Sequence, residues 1–214
     1  MDLDGDTSLP HPVWTTLPVQ YYLNSAGSAD LGGYGPTETV MQASFASWEA
    51  PACTSWAVSY QGATTRGVSS GDGFHILTWV ESGWGYESGA IGVTSMSFWS
   101  GSSFADADIE FNGVNFTWNT TGSGSGVDTQ SIATHEMGHF LGLGDLYDYS
   151  SCGGDPKTMC GMYSGGTSTR TLHADDIAGV CALYPSGTTL ECTSAADCDA
   201  GEECVDNVCV ASTP

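Results

Sequence analysis

Only three of the 214 residues are lysine or arginine, against 25 aspartates and glutamates, so the formal net charge is -22. A chain so poor in cations repels polyanions, which excludes nucleic acid and anionic lipid surfaces as partners. Such acidity has two explanations, solubility outside the cell and carboxylate sites for calcium. No apolar run approaches the roughly 20 residues of a membrane span. The start, Met1-Asp2-Leu3-Asp4, lacks the basic and apolar regions of a signal peptide, so the chain reads as a mature form with any export signal removed.

What is present points to a packed globule. Hydrophobic residues make up 40%, with seven Trp, nine Tyr and seven Phe, too apolar for a disordered chain. Eight cysteines form two groups: Cys53, Cys152, Cys160 and Cys181 are dispersed, while Cys192, Cys198, Cys204 and Cys209 crowd the C-terminus. The tail has no His and no C-x-x-C, so disulfides are favoured over zinc, and with them an oxidising, extracellular location. The groups are expected to pair internally, Cys152 with Cys160 and Cys53 with Cys181. The expected tail pairs are Cys192 with Cys204 and Cys198 with Cys209, one of three connectivities open to four cysteines.

Stretches rich in β-branched and aromatic residues at 19–23, 56–60, 74–80, 91–98 and 107–118, separated by Gly, Ser and Asn, predict a sheet of five strands. Helical periodicity predicts helices over 37–50, stopped by Pro51, over 128–141 with Asp128 as N-cap, and over 174–184, with Asp175 and Asp176 in its first turn and Pro185 beyond. The class is therefore α+β. The predicted organisation is an N-terminal arm or pro-segment remnant (1–13), a catalytic domain (14–186) and a cysteine-rich tail (187–214), too short for its own apolar core and so stapled by disulfides.

The second helix contains His135-Glu136-Met137-Gly138-His139. The i, i+4 spacing sets two imidazoles on one face, where their nitrogens can converge on one zinc ion. Glu136 then stands where a general base takes a proton from a metal-activated water and returns it to the leaving amine. Charged residues on a helix are commonly a solvated face, but the full pattern with Gly142 arises by chance in about one chain in a thousand of this size. The other histidines, His11, His75 and His173, read as structural or surface residues.

The run His135 to Asp145 closely resembles the metzincin motif H-E-x-x-H-x-x-G-x-x-H/D. Gly142 would turn the chain, and Asp145 stands at the third-ligand position, with Asp148 as rival. Met159, in Asp155-Pro156-Lys157-Thr158-Met159, resembles the Met-turn of matrixins in their bacterial branch, with Met162 as competitor, and residues 170–185 resemble their last helix. The resemblance extends loosely over residues 14–185. It implies a mixed five-stranded sheet with three helices, Tyr163 lining the S1' pocket, and segment 89–95 as an edge strand that pairs with extended substrate. In the metal-binding segment of that family Glu110 matches a calcium-binding acid, while Asp108 replaces a zinc-binding His, so no second zinc is expected.

These readings converge on a secreted, monomeric zinc endopeptidase acting on proteins or peptides, with calcium as an optional ion. The rival is a secreted aromatic-rich binding protein with a structural metal site, for which an intact Glu136 has no use. A third reading makes residues 2–6 a pro-segment remnant that caps the zinc, or else a calcium-binding or disordered end.

Overall fold

The computed structural model describes residues 12–98, 103–147, 152 and 157–186, together with the backbone of 202–205 and 208–211. Five strands, β1 (Val19–Asn24), β2 (Val58–Thr64), β3 (Ile76–Val80), β4 (Gly92–Phe98) and β5 (Phe104–Asn112), form one sheet in the order β2-β1-β3-β5-β4. All neighbours are parallel except β4, which runs antiparallel to β5 at the edge of the order. The mixed five-stranded sheet thus agrees with the predicted class, and among the described residues three α-helices accompany it: α1 (Tyr34–Glu49), α2 (Thr129–Leu141) and α3 (Ala174–Leu183). No helix among the described residues is long and apolar enough to cross a membrane.

Two boundaries differ from expectation. Helix α1 begins at Tyr34 rather than Thr37, because Pro36 falls in the first turn, where its missing N–H costs nothing. The long strand expected over 107–118 is broken: the Asn112 side chain accepts from the N–H groups of Val114 and Asn115, turning the chain, and Trp118 pairs instead in a two-residue bridge, β6 (Trp118–Asn119) with β7 (Val127–Asp128). In the tail, β8 (Glu202–Val205) and β9 (Val208–Ala211) form a hairpin with Cys204 opposite Cys209. The predicted tail disulfides, residues 1–11 of the N-terminal arm with His11, and Asp148 lie outside the described residues.

Helix α2 is the axis of the molecule. Ala133, Met137, Phe140 and Leu141 are fully buried, and the Phe140 ring meets those of Trp14, Phe45, Trp56 and His75 at centroid distances from 5.5 to 6.3 Å. Burying one such ring stabilises the fold by about 1.5–3 kcal/mol. The helix is also tied to α1 by the Trp48 indole, which donates to the Thr134 carbonyl at 2.8 Å. Its last carbonyls, which have no partner inside the helix, accept from the Trp14 indole (2.7 Å to Phe140 O) and the Tyr184 hydroxyl (2.6 Å to Leu141 O). Two disulfides lock the periphery: Cys53–Cys181 joins the end of the α1 connection to α3, and Cys152–Cys160 closes a short loop beside the cleft. Both are the pairs expected.

Candidate metal centre and cleft

Helix α2 starts where the sequence predicts. Asp128 is its N-cap, its carboxylate accepting from the Ser131 N–H at 2.9 Å and from the Ser131 hydroxyl at 2.8 Å. Arg170 donates to both oxygens of the same carboxylate, which is fully buried. Burial disfavours the charged form, yet the hydrogen bonds from Arg170 and Ser131 outweigh it and hold Asp128 below the usual carboxylate range. The helix stops at Gly142, whose φ of 114° is left-handed, and the Leu143 N–H bonds back to the Gly138 carbonyl at 2.8 Å. A Cβ at position 142 would stand 2.8 Å from the Pro12 carbonyl oxygen. Glycine therefore serves both conformation and space, and the chain turns back toward His135 and His139.

The turn carries Asp145 to the two histidines. His135 Nε2 and His139 Nε2 are 3.1 Å apart, and Asp145 Oδ1 lies 3.2 Å from the first and 3.4 Å from the second. Each imidazole has its other nitrogen against a carbonyl: His135 Nδ1 lies 2.7 Å from Thr158 O and His139 Nδ1 lies 2.8 Å from Leu143 O. A carbonyl can only accept, so both Nδ1 atoms carry the proton and both Nε2 lone pairs face inward. Asp145 Oδ1 is buried and receives no hydrogen bond, so three electron-pair donors face one another at the spacing of a group that could hold a cation. The edge of a tetrahedron with zinc–nitrogen bonds of 2.0–2.1 Å is about 3.3 Å. The donor set and its spacing fit zinc.

The electrostatics agree. Burial works against a charge on His135, but the Asp145 carboxylate and Glu136 raise its pKa to about 9. For Asp145, burial opposes ionisation while the adjacent His135 and His139 imidazoles more than offset it, holding the group well below the usual carboxylate range. The centre stabilises positive charge. Asp145 Oδ2, the other oxygen, accepts from the Tyr147 hydroxyl at 2.6 Å, and that bond pushes the phenol up to about 12.

Beneath the histidines lies Met159, fully buried. Its sulfur packs on Gly138, where an added Cβ would approach to 2.2 Å. Met162 is instead largely exposed. The Met159 turn is held from α3 by Asp176, which accepts from the N–H groups of Thr158 (2.9 Å) and Met159 (3.2 Å), and of His173 (2.9 Å). Since the Thr158 carbonyl orients His135, Asp176 reaches the centre through two bonds. By sequence alone Asp176 is marked only as an acid in the first turn of a helix.

His135, Glu136, His139, Asp145, Tyr147 and Tyr163 all line one cleft of about 680 Å³ whose opposite wall is residues 89–94 of strand β4 and the loop before it. Tyr163 is fixed by its hydroxyl, which donates to Gly166 O at 2.8 Å and accepts from the Asp128 N–H at 3.1 Å. The accessible face of α2 is narrower than its pattern implies. Ile132 and Glu136 are buried, because β4 closes over the helix: the Thr94 hydroxyl lies 2.7 Å from Glu136 Oε2.

Glu110 lies away from this cleft group, accepting from the Tyr86 hydroxyl at 2.7 Å. Asp106 and Asp108 act as clamps on the loop before β3. Asp106 accepts from the Gly71 N–H at 2.6 Å and meets His75 Nδ1 at 3.0 Å, while Asp108 accepts from the Ser69 and Ile76 N–H groups at 3.1 and 2.8 Å. Burial, with Asp106 and Asp72 nearby, pushes Asp108 up to about 6, and burial lowers His75. His75 and His173, the latter the N-cap of α3, are structural as expected. Among the described residues the His135, His139 and Asp145 group is the one His, Cys, Asp and Glu cluster spaced to hold an ion.

Residues 84–185 match the matrixin family profile. Human matrix metalloproteinase-19 is 42% identical over 85 residues, covering 37% of this chain and 15% of that protein. The mouse matrix metalloproteinase-19 is 39% identical over 89 residues, covering 39% of this chain and 16% of its own length. The chain thus spans about a sixth of the length of these relatives. The matched segment holds β4, β5, α2, α3 and every residue of the cleft named above, so the part of the chain that builds the cleft is similar to the matrixins.

Proposed function

We propose that the protein is a secreted zinc-dependent endopeptidase that hydrolyses internal peptide bonds of proteins or peptides. The observation that carries the reading is the triangle of His135 Nε2, His139 Nε2 and Asp145 Oδ1, three donors with inward lone pairs beside a buried Glu136 in an open cleft. Zinc held by these residues would supply Lewis acidity toward the scissile carbonyl and toward water. Glu136 takes the proton of the attacking water and delivers it to the leaving amine. Substrate main chain pairs with the edge of β4, which has no strand on its other side in the described sheet. Tyr163 borders the pocket for the residue after the scissile bond, and Met159 supports the histidines from below. A purely structural ion would leave Glu136 without a task.

An extracellular location accords with the disulfides Cys53–Cys181 and Cys152–Cys160. On this reading residues 14–186 are the catalytic unit and 187–214 the cysteine-rich tail. Calcium at Glu110 would have to compete with the Tyr86 hydroxyl for the carboxylate.

The test is Glu136→Gln, which keeps shape and removes the base. It should bind zinc as the wild type does and lose about 10²- to 10⁴-fold in casein or peptide cleavage. A fully metallated variant that cleaved at near wild-type rate would overturn the mechanism. Wild-type protein that held no zinc, or cleaved equally well with a chelator present, would overturn the function.

A further inference from the structure

We infer that Thr94 is a positioning residue for the proton-transfer group, holding the Glu136 carboxylate in place from strand β4. The inference rests on Glu136 being the general base. Thr94 lies in the middle of β4, opposite Ile109 of β5, and its hydroxyl is 2.7 Å from Glu136 Oε2 and 3.0 Å from the Glu136 carbonyl oxygen. A hydroxyl has one proton, and an ionised carboxylate is the stronger acceptor as well as the nearer, so the bond goes to Oε2. Two residues earlier on the same strand face is Gly92. A Cβ there would stand 2.6 Å from Glu136 Oε1 and 2.8 Å from both Cδ and Cγ. The Glu136 side chain therefore occupies the space that a Cβ at position 92 would take, with its other carboxylate oxygen tied to Thr94.

A glutamate has three side-chain torsions, and a base that must meet one water gains rate from having them set beforehand. The helix supplies the Cα position of Glu136; β4 supplies the rest. Its edge is also the one proposed to pair with substrate, so the same strand registers the scissile bond and the base against each other.

Thr94→Val removes the hydroxyl and keeps the branched shape that a strand prefers. Its kcat on an internally quenched peptide should fall roughly tenfold or more, the range for losing a hydrogen bond to a charged group, with KM, zinc content and near-UV circular dichroism unchanged. Thr94→Ser, which restores the hydroxyl, should return kcat to within about threefold of wild type. In a Glu136→Gln background, Thr94→Val should leave the residual rate as it is, because the group it positions is no longer a base. A Thr94→Val kcat within about twofold of wild type would overturn the inference. So would a rise in KM at constant kcat, which would place Thr94 in substrate binding, or a loss that persists in the Glu136→Gln background. Should Thr94→Val misfold, the serine variant decides: a folded Thr94→Ser enzyme that loses as much as Glu136→Gln contradicts the role. If Glu136→Gln itself stays active, the proposed mechanism fails first, and that result is read without any Thr94 variant.

Discussion

Removing the Asp128 side chain should cost about 2–4 kcal/mol, and the sum can be worked from its contacts. One oxygen caps α2 through the Ser131 N–H, and loss of such a cap costs about 0.5–2 kcal/mol. Both oxygens pair with Arg170. Breaking a buried ion pair costs about 3–5 kcal/mol, but Arg170 is partly exposed (27%) and its guanidinium also donates to Thr120 O, so water and that carbonyl recover part of the loss. Asp128→Ala should therefore lower Tm by about 4–16 °C, at 2–4 °C per kcal/mol for a chain of this size. Asp128→Asn keeps a good capping residue and loses only the charge, so it should fall between wild type and alanine. The pH dependence follows from the sign of the shift. Asp128 has a folded pKa below its unfolded value, so its contribution is complete above about pH 4–5 and is lost as pH falls through the folded value. Urea titrations from pH 7 downward should show a constant gap between wild type and Asp128→Ala that narrows only in acid. A gap below about 0.5 kcal/mol at pH 7, or an asparagine variant no better than alanine, would refute the reasoning.

Two further outcomes bear on the centre itself. Asp145→Ala should weaken zinc binding by more than the roughly 10–100-fold that loss of an outer-shell partner costs, while Asp145→His keeps a site because imidazole also suits tetrahedral zinc; competitive titration with a chromophoric chelator measures both, and normal affinity in Asp145→Ala would remove it from the ligand set. Gly138→Ala forces a Cβ to within 2.2 Å of Met159 Sδ and 2.8 Å of Trp48 Cζ2, both in fully buried side chains, and should cost at least about 1–3 kcal/mol; an unchanged urea midpoint would show that the Met159 turn is looser than its packing implies.

The parts of the site written in local chemistry were legible before the fold was known. The N-cap at Asp128, the i, i+4 histidines and the turn at Gly142 each depend on neighbours within a few residues, and the structure places all of them as read. Residues whose role depends on distant partners were not legible. Asp176 looks like any acid in a first helical turn until the Thr158 and Met159 amides, 18 and 17 positions earlier, are seen to end on its carboxylate. Thr94 sits 42 positions from Glu136 in a strand whose composition marks it only as a strand. The same limit explains the broken strand after Asn112: β-branched and aromatic residues continue through 107–118, but the Asn112 side-chain oxygen accepts from two backbone N–H groups and turns the chain. Asp108 stands in a segment that resembles a metal-binding one, but its role, and that of Asp106, comes from distant groups: their oxygens accept from loop amides and, for Asp106, meet His75.

An unpaired strand edge invites any extended chain, including that of another copy. Many proteins blunt such an edge with lysine, proline or a bulge that breaks its line. Strand β4, Gly-Val-Thr-Ser-Met-Ser-Phe, carries no charge and no proline and has a register irregularity at its far end, between Ser97 and Phe98; under the proposed function its remaining length could not be armoured without also turning substrate away. Protection has to act at longer range than the edge itself. With each molecule at -22, two copies repel well before their edges can register, whereas a short peptide brings too little charge to be refused. The scarcity of cations then acts as a colloidal safeguard for an edge that must stay bare, and it should weaken as salt shortens the reach of that repulsion.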